Sequence, residues 1–176
     1  MIIITGAAGF IGSAFAWKCN RMGIQDLLLV DALKTSEKWR NLVGISYTDF
    51  VHKDDFLDMI IDDNMPRNIE AIVHLGACSA TTENDGDYLM NNNYRYSQLV
   101  FEWCRKRDVR FIYASSAATY GGGEHGFDDQ MSSIQPLRPI NRYGYSKHLF
   151  DRYLERVKGL DRAAGIKFFN VFGPNE

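Results

Sequence analysis

The sequence predicts an α/β chain on one parallel sheet of order 3-2-1-4-5-6, doubly wound with helices on both faces. Three observations lead there. Short apolar runs alternate with longer amphipathic ones along all 176 residues, the pattern of repeated strand–helix–strand units. The first apolar run leads into a glycine-rich turn, Thr5-Gly6-Ala7-Ala8-Gly9-Phe10-Ile11-Gly12. The residues able to do chemistry fall at the C-terminal ends of the runs, where doubly wound sheets bind their ligands.

In chain order, Met1 to Ile4 is long enough only for a buried strand, and Phe10 to Met22 has helical character. Asp26 to Val30 reads as the second strand, ending at Asp31, and Ile45 to Phe50 as a weaker third with alternating character. Asp54 or Asp55 is placed to cap a helix running to about Asp63, which Pro66 follows. Ala71 to Leu75 is the fourth strand. Tyr88 to Arg107 is a long helix with Leu89, Val100, Phe101 and Cys104 as core contacts. Arg110 to Ala114 is the fifth strand. Gly121 to Pro139 lacks periodicity and is rich in Gly, Ser and Pro, so it reads as a loop. Arg142 to Val157 is a helix and Ile166 to Val171 the sixth strand. No linker or internal repeat interrupts this order, so residues 1–176 read as one domain.

Strand, glycine turn and helix in that order form a Rossmann dinucleotide turn. Gly6 takes the tight turn, Gly9 lets backbone approach a pyrophosphate, and Gly12 lets the helix pack on the strand. The first helical turn then aims its N–H groups and positive dipole end at phosphate.

Composition excludes several other classes. A net charge of −2 leaves no basic surplus for nucleic acid or an anionic membrane. No apolar run is long enough to span a bilayer. The first strand has no basic segment before it, so no secretory signal is expected. Cys19, Cys78 and Cys104 are odd in number and show no paired spacing, which predicts reduced, mostly buried thiols and a cytoplasmic protein. His52, His74, His125 and His148 are scattered, each expected to be solvated or packed, and no metal site is expected.

Tyr143 and Lys147 lie one helical turn apart and share a face. Such a pair alone carries little. Ser115 and Ser116 at the end of a strand upstream, and the glycine turn, give it context. A free phenol titrates near pH 10, too high for a base at neutral pH. A lysine ammonium and a positive nicotinamide beside Tyr143 are expected to lower that value. Ser116 is placed to hold a substrate oxygen within reach of Tyr143, and Lys147 to hold the nicotinamide ribose.

The runs TGAAGFIG, SSAATYG (Ser115 to Gly121), YGYSK (Tyr143 to Lys147) and FNVFGP (Phe169 to Pro174) resemble the extended short-chain dehydrogenase/reductase family. Within it, HLGACSATTE, MNNNYRYS and YASSAATYGGG are similar to the bacterial ADP-glycero-manno-heptose 6-epimerases of lipopolysaccharide core synthesis. The resemblance runs the whole length. It implies epimerisation of ADP-D-glycero-D-manno-heptose at C6″ through a transient keto sugar, with hydride leaving and returning by one bound cofactor. Another nucleotide-sugar epimerase or dehydratase, or a non-catalytic dinucleotide sensor, is the alternative.

Carried across by position, the resemblance implies cofactor contacts at Phe10, Ile11, Asp31, Lys38, Lys53, Leu75, Gly76, Ala77, Cys78, Ser79, Asn92, Lys147 and Val171. These join Gly6, Gly9 and Gly12. Ala32 and Leu75 occupy contact positions where the family usually has Asn and often Glu. Tyr143 is implied as the proton acceptor, Ser116 as its partner and Asn170 as a substrate contact. Family members continue past the GP motif into a substrate lobe with a second acid/base lysine. The stretch therefore reads as the cofactor-binding part of a longer homo-oligomeric enzyme, and on its own is expected not to epimerise.

Asp31 and the basic residues after it pull the cofactor choice in opposite directions. An acidic residue at the end of the second strand favours the two ribose hydroxyls of NAD. Lys34, Lys38, Arg40 and Lys53 favour a 2′-phosphate if Asp31 turns away. The resemblance implies NADP, and that is the expectation, with NAD as the alternative.

Overall fold

A computed structural model describes residues 1–130 and 134–174 of the chain. The sheet has six parallel strands in the order β3-β2-β1-β4-β5-β6, as expected. They are β1 (Ile2–Thr5), β2 (Leu27–Asp31), β3 (Asp49–His52), β4 (Ala71–His74), β5 (Arg110–Ser116) and β6 (Ala163–Phe168). Between them run α1 (Phe10–Arg21), α2 (Lys53–Ile61), α3 (Gly86–Leu89), α4 (Tyr96–Arg107) and α5 (Arg142–Arg156). Short 3₁₀ turns occupy Glu37–Leu42 and Ala117–Tyr120.

Alternation along the central strands divides the core. Ile3, Leu28, Val30, Ile72 and Phe111 face one side, where Phe56, Val100, Phe101, Phe150 and Leu154 from α2, α4 and α5 cover them. Ile4, Leu27 and Leu29 face the other, against Ala16 and Cys19 of α1. Strands buried on both faces need apolar side chains at every position, and β2 (LLLVD) is buried throughout. Taking each large side chain out of water stabilises the fold by about 2 kcal/mol. Leu89, Val100, Phe101 and Cys104 are all buried, as the helical spacing predicts.

Several boundaries differ from the sequence reading. The third strand is Asp49–His52 rather than Ile45 to Phe50. Ser46 is held by the Asn20 side chain at 2.6 and 2.9 Å, which ties that segment to the end of α1. Helix α2 is capped by His52, whose side chain accepts from the Asp54 amide, and not by Asp54 or Asp55. The sixth strand is Ala163–Phe168, so Asn170 and Val171 lie beyond it in the following turn. Strand β5 runs on through Ser116, which places both serines within the strand. The expected loop over Gly121 to Pro139 shows no helix or strand among its described residues, and 131–133 lie outside them.

One long helical region, from α3 to α4, carries a π-helical turn at Met90–Arg95. Such turns displace side chains from the regular helical track and recur at functional sites. Here the turn contains Asn92 and Asn93.

Candidate active site

The glycine turn is built by two kinds of constraint. Gly6 has φ +67°, and a Cβ there would stand 2.7 Å from Gly76 backbone, so the turn after β1 and the turn after β4 touch. A Cβ on Gly12 would lie 2.1 Å from the Gly6 carbonyl oxygen, so only glycine lets α1 start this close. Gly9 is different. Its φ is −72°, and its Cβ would meet only the Gly6 oxygen, at 3.2 Å. The fold asks little of position 9; an approaching ligand asks more. Helices α2, α3 and α5 each begin under a side-chain cap, from His52, Asp85 and Asn141. Helix α1 has no side-chain cap and no acidic residue in its first turn, which suits an anion there.

A crevice of about 700 Å³ opens over this turn at the C-terminal ends of β1, β2 and β4. Of the residues implied as cofactor contacts, it is lined by Gly6, Gly9, Phe10, Ile11, Gly12, Asp31, Ala32, Lys38, Lys53, Leu75, Gly76, Ala77, Ser79 and Asn92. Cys78, Lys147 and Val171 are not among its lining residues, nor are Ser116, Tyr143 and Asn170. Val171 and Asn170 are exposed; the same turn reaches the crevice through Gly173, whose Cβ would lie 3.4 Å from the Phe10 ring.

Asp31 is turned inward. One carboxylate oxygen accepts from the Ala8 amide at 2.8 Å; the other accepts from the Ala32 amide at 2.7 Å and from Lys38 at 2.6 Å. The carboxylate therefore braces the glycine turn and is neutralised by Lys38. Lys34 and Lys53 line the same end of the crevice, with Lys53 paired to Asp54 at 2.9 Å.

Outside that lining, Ser116 is brought beside Tyr143, and Lys147 lies one turn further along α5. The neighbouring Ser116 hydroxyl favours the phenolate of Tyr143, but burial outweighs it and pushes the phenol above its usual value. The expected lowering by Lys147 is thus not found. Lys147 is buried, and burial pulls its ammonium down to about 8, against the opposing charge of Asp151. Gly144 lets α5 begin this close to the serine turn: a Cβ there would lie 2.6 Å from the Ala118 carbonyl. Cys78 sits beside Tyr143, its charge if ionised raising the phenol further.

Glycine turn, inward acid and Ser-Tyr-Lys constellation on one parallel sheet coincide with a known sequence family. The NAD dependent epimerase/dehydratase family matches residues 2–176. The chain belongs to that family. Two ADP-L-glycero-D-manno-heptose-6-epimerases are its relatives. That of Nitratidesulfovibrio vulgaris is 56% identical over 176 residues, covering 100% of this chain and 54% of the relative. That of Fusobacterium nucleatum is 49% identical over 179 residues, with the same shares. The chain spans about half the length of these curated relatives. Among solved structures, Helicobacter pylori ADP-L-glycero-D-manno-heptose-6-epimerase superposes with a TM-score of 0.83 at 26% identity, over 99% of this chain and 56% of that one. Thermotoga maritima UDP-glucose 4-epimerase superposes with a TM-score of 0.79 at 26% identity, over 99% and 57%.

In this epimerase/dehydratase fold the surroundings of Ser116, Tyr143 and Lys147 are built from buried polar side chains that sequence reasoning missed. Asn93, fully buried in the π turn, donates to the Cys78 carbonyl (2.9 Å) and the Ser146 hydroxyl (3.0 Å) and accepts from the Cys78 amide (2.8 Å). Ser146 in turn donates to the Tyr143 carbonyl at 2.7 Å. His74, expected to be merely packed or solvated, organises the turn after β4. The Gly76 amide donates to the Thr5 hydroxyl (3.1 Å), Thr5 to His74 Nδ1 (2.7 Å), His74 Nε2–H to Ser97 (2.9 Å) and Ser97 to the Asn93 carbonyl (2.6 Å). Only that order gives every member a donor and an acceptor. Burial first, then the Lys147 charge, pull His74 down to about 3, so it stays neutral. Of the other histidines, His125 is exposed, His52 caps α2, and His148 is buried. Cys19 and Cys104 are buried and Cys78 half-buried, all three as free thiols. No group of three or more potential metal ligands, and no helix long and apolar enough to cross a membrane, occurs among the described residues.

Proposed function

We propose that this chain forms the cofactor-binding part of an NADP-dependent epimerase. The enzyme converts ADP-D-glycero-D-manno-heptose to ADP-L-glycero-D-manno-heptose at C6″, as the names of its relatives suggest. The observation that carries the reading is the pairing of Ser116 with Tyr143, one helical turn from Lys147, on the same sheet as an uncapped glycine turn that lines a crevice.

The residues present fit a dinucleotide. Gly9 leaves room that the fold itself does not use, and the start of α1 offers N–H groups to the pyrophosphate. Lys38, Lys53, Leu75, Gly76, Ala77, Ser79 and Asn92 would line it, with Lys147 at the ribose of the nicotinamide and Cys78 and Val171 at the margins. Bound there, the nicotinamide supplies reversible hydride exchange at the sugar carbon. Tyr143 exchanges a proton with the sugar hydroxyl at its phenol oxygen. Ser116 orients that hydroxyl, and Asn170 in the turn after β6 contacts the nucleotide sugar. Lys147, cationic at neutral pH, favours the phenolate once substrate shields the site from water.

Support for NADP over NAD comes from Asp31. Its carboxylate is spent on Ala8, Ala32 and Lys38, which weakens its claim on ribose hydroxyls and its repulsion of a 2′-phosphate. Lys34, Lys38 and Lys53 ring that end of the crevice.

The test is conversion of the ADP-heptose by the full-length enzyme, followed by chromatography of the two epimers, beside Tyr143→Phe. Interconversion by the wild type and its loss in the variant are expected. A wild type inactive on this sugar, or an active variant, would refute the reading.

A further inference from the structure

Asp151 lies one turn beyond Lys147 and two beyond Tyr143, on the same face of α5. It is almost wholly buried, and three groups converge on it. Its Oδ1 accepts from the Tyr113 hydroxyl at 2.8 Å. Its Oδ2 accepts from the Ser115 hydroxyl at 2.8 Å and from Lys167 Nζ at 2.9 Å. Lys167 comes from β6, an edge strand, and its side chain is only 13% exposed. Its ammonium also donates to the Thr119 hydroxyl at 2.6 Å and lies 4.9 Å from the centre of the Tyr120 ring. Thr119 donates to the Ser116 carbonyl at 2.8 Å.

We propose that Asp151 and Lys167 form a buried positioning pair that fixes Ser116 against Tyr143 and Lys147. The inference rests on the reading of Tyr143 as the proton-transferring group. Both ends of the pair reach the serine turn: Asp151 through Ser115, and Lys167 through Thr119. The pair also ties three elements together, since Asp151 is on α5, Ser115 and Tyr113 on β5, and Lys167 on β6. Packing alone does not account for it. Taking two charges out of water is costly, and apolar side chains of equal volume hold such an interface as well or better. What apolar groups cannot do is fix direction. A carboxylate bonded to Ser115 and an ammonium shared between that carboxylate and the Thr119 hydroxyl define one arrangement of the turn. Gly165 accommodates it: a Cβ there would lie 2.6 Å from the Tyr113 hydroxyl, which must pass β6 to reach Asp151.

The test uses the full-length enzyme with ADP-heptose and NADP, and compares Lys167→Met, Lys167→Arg, Thr119→Val and Tyr113→Phe. Lys167→Met removes the ion pair. Thr119→Val keeps the pair but cuts its link to the Ser116 carbonyl. Both are expected to lower kcat by about tenfold, with KM and cofactor affinity held within about twofold. Lys167→Arg should restore most of kcat. Tyr113→Phe removes a neutral hydrogen bond from the same carboxylate without touching the serine turn, and should leave kcat within about twofold. Amide hydrogen exchange gives a second readout: the amides of Ala117–Tyr120 should exchange faster in Lys167→Met and Thr119→Val, and those of β1 should not. Unchanged kcat in both variants, in preparations where Tyr143→Phe is inactive, overturns the positioning pair alone. Equal losses for Tyr113→Phe and Lys167→Met overturn it in favour of plain packing. An active Tyr143→Phe overturns the reading beneath it as well.

Discussion

The glycine turn and the group of Ser116, Tyr143 and Lys147 are built differently. At the glycine turn, position is set by backbone: Gly6 touches Gly76, Gly12 touches Gly6, and α1 starts without a cap. Around Ser116 and Tyr143, position is set by buried side chains: Asn93, His74, Asp151 and Lys167 hold the segments that carry Cys78, Ser116 and Tyr143. The difference matches what we propose each region does. Phosphate is bound by N–H groups that any sequence supplies once the backbone is bent correctly. Proton transfer needs one phenol oxygen within hydrogen-bond reach of one hydroxyl, so side chains must be aimed.

The sharpest way to separate the two regions is Tyr143→Phe. It removes one hydroxyl and leaves the glycine turn untouched. Turnover is expected to fall by about a thousandfold, with cofactor affinity and thermal stability unchanged. Steady-state kinetics and a cofactor titration on one preparation check both halves of that statement.

Next in size is Gly9→Val, which should do the reverse. A branched side chain would stand where the pyrophosphate approaches, so cofactor affinity is expected to fall by about a hundredfold or more while the chain stays folded. Gly12→Val supplies the contrast. Its Cβ would overlap the Gly6 carbonyl, so loss of the fold itself is expected by circular dichroism. If Gly9→Val binds the dinucleotide normally, the division of labour between the glycines is wrong.

His74 tests the side-chain region through pH. Folded, it is neutral, with its proton affinity pulled from 6.5 to about 3 by burial and by Lys147. Unfolded, it takes up a proton below its ordinary value. Its stabilising share is therefore complete above about pH 6.5 and drains away as pH falls toward 3. Between pH 6.5 and 5 that share is about 2 kcal/mol. His74→Asn keeps an acceptor for Thr5 but has nothing to titrate, so urea unfolding should lose that part of its pH dependence. An unaltered slope would show that His74 is charged or solvated.

The smallest effect concerns cofactor choice. Lys38→Ala takes a cation from the crevice and frees Asp31 at once, and both changes favour NAD. NADP affinity is expected to fall about tenfold relative to NAD. Equal loss of both would assign Lys38 to bracing the turn alone.

These two regions were unequally legible in the sequence. The glycine turn and the Tyr143–Lys147 pair are local patterns, readable from spacing, and the central strands carry long apolar runs. Edge strands carry weaker signals. Strand β6 begins Ala163-Ala164-Gly165 and is largely exposed, so its apolar end, Ile166 to Val171, drew the expected strand too far along. Asp151 and Lys167 look like surface charges in a helix and a strand until β5, β6 and α5 come together around them. Asn93 is one of three consecutive asparagines, and only the π turn distinguishes it. Tyr143 failed the expectation of a lowered phenol because spacing shows a neighbouring lysine but not the depth of burial.

The central proposal is that this chain holds one NADP over the glycine turn, reaching toward Ser116, Tyr143 and Lys147. Native mass spectrometry of the purified full-length enzyme tests it most directly. The account predicts one NADP per chain, lost in Gly9→Val and retained in Tyr143→Phe. NAD in its place, or a folded wild-type enzyme that carries no dinucleotide and takes up none when NADP is added, would contradict it.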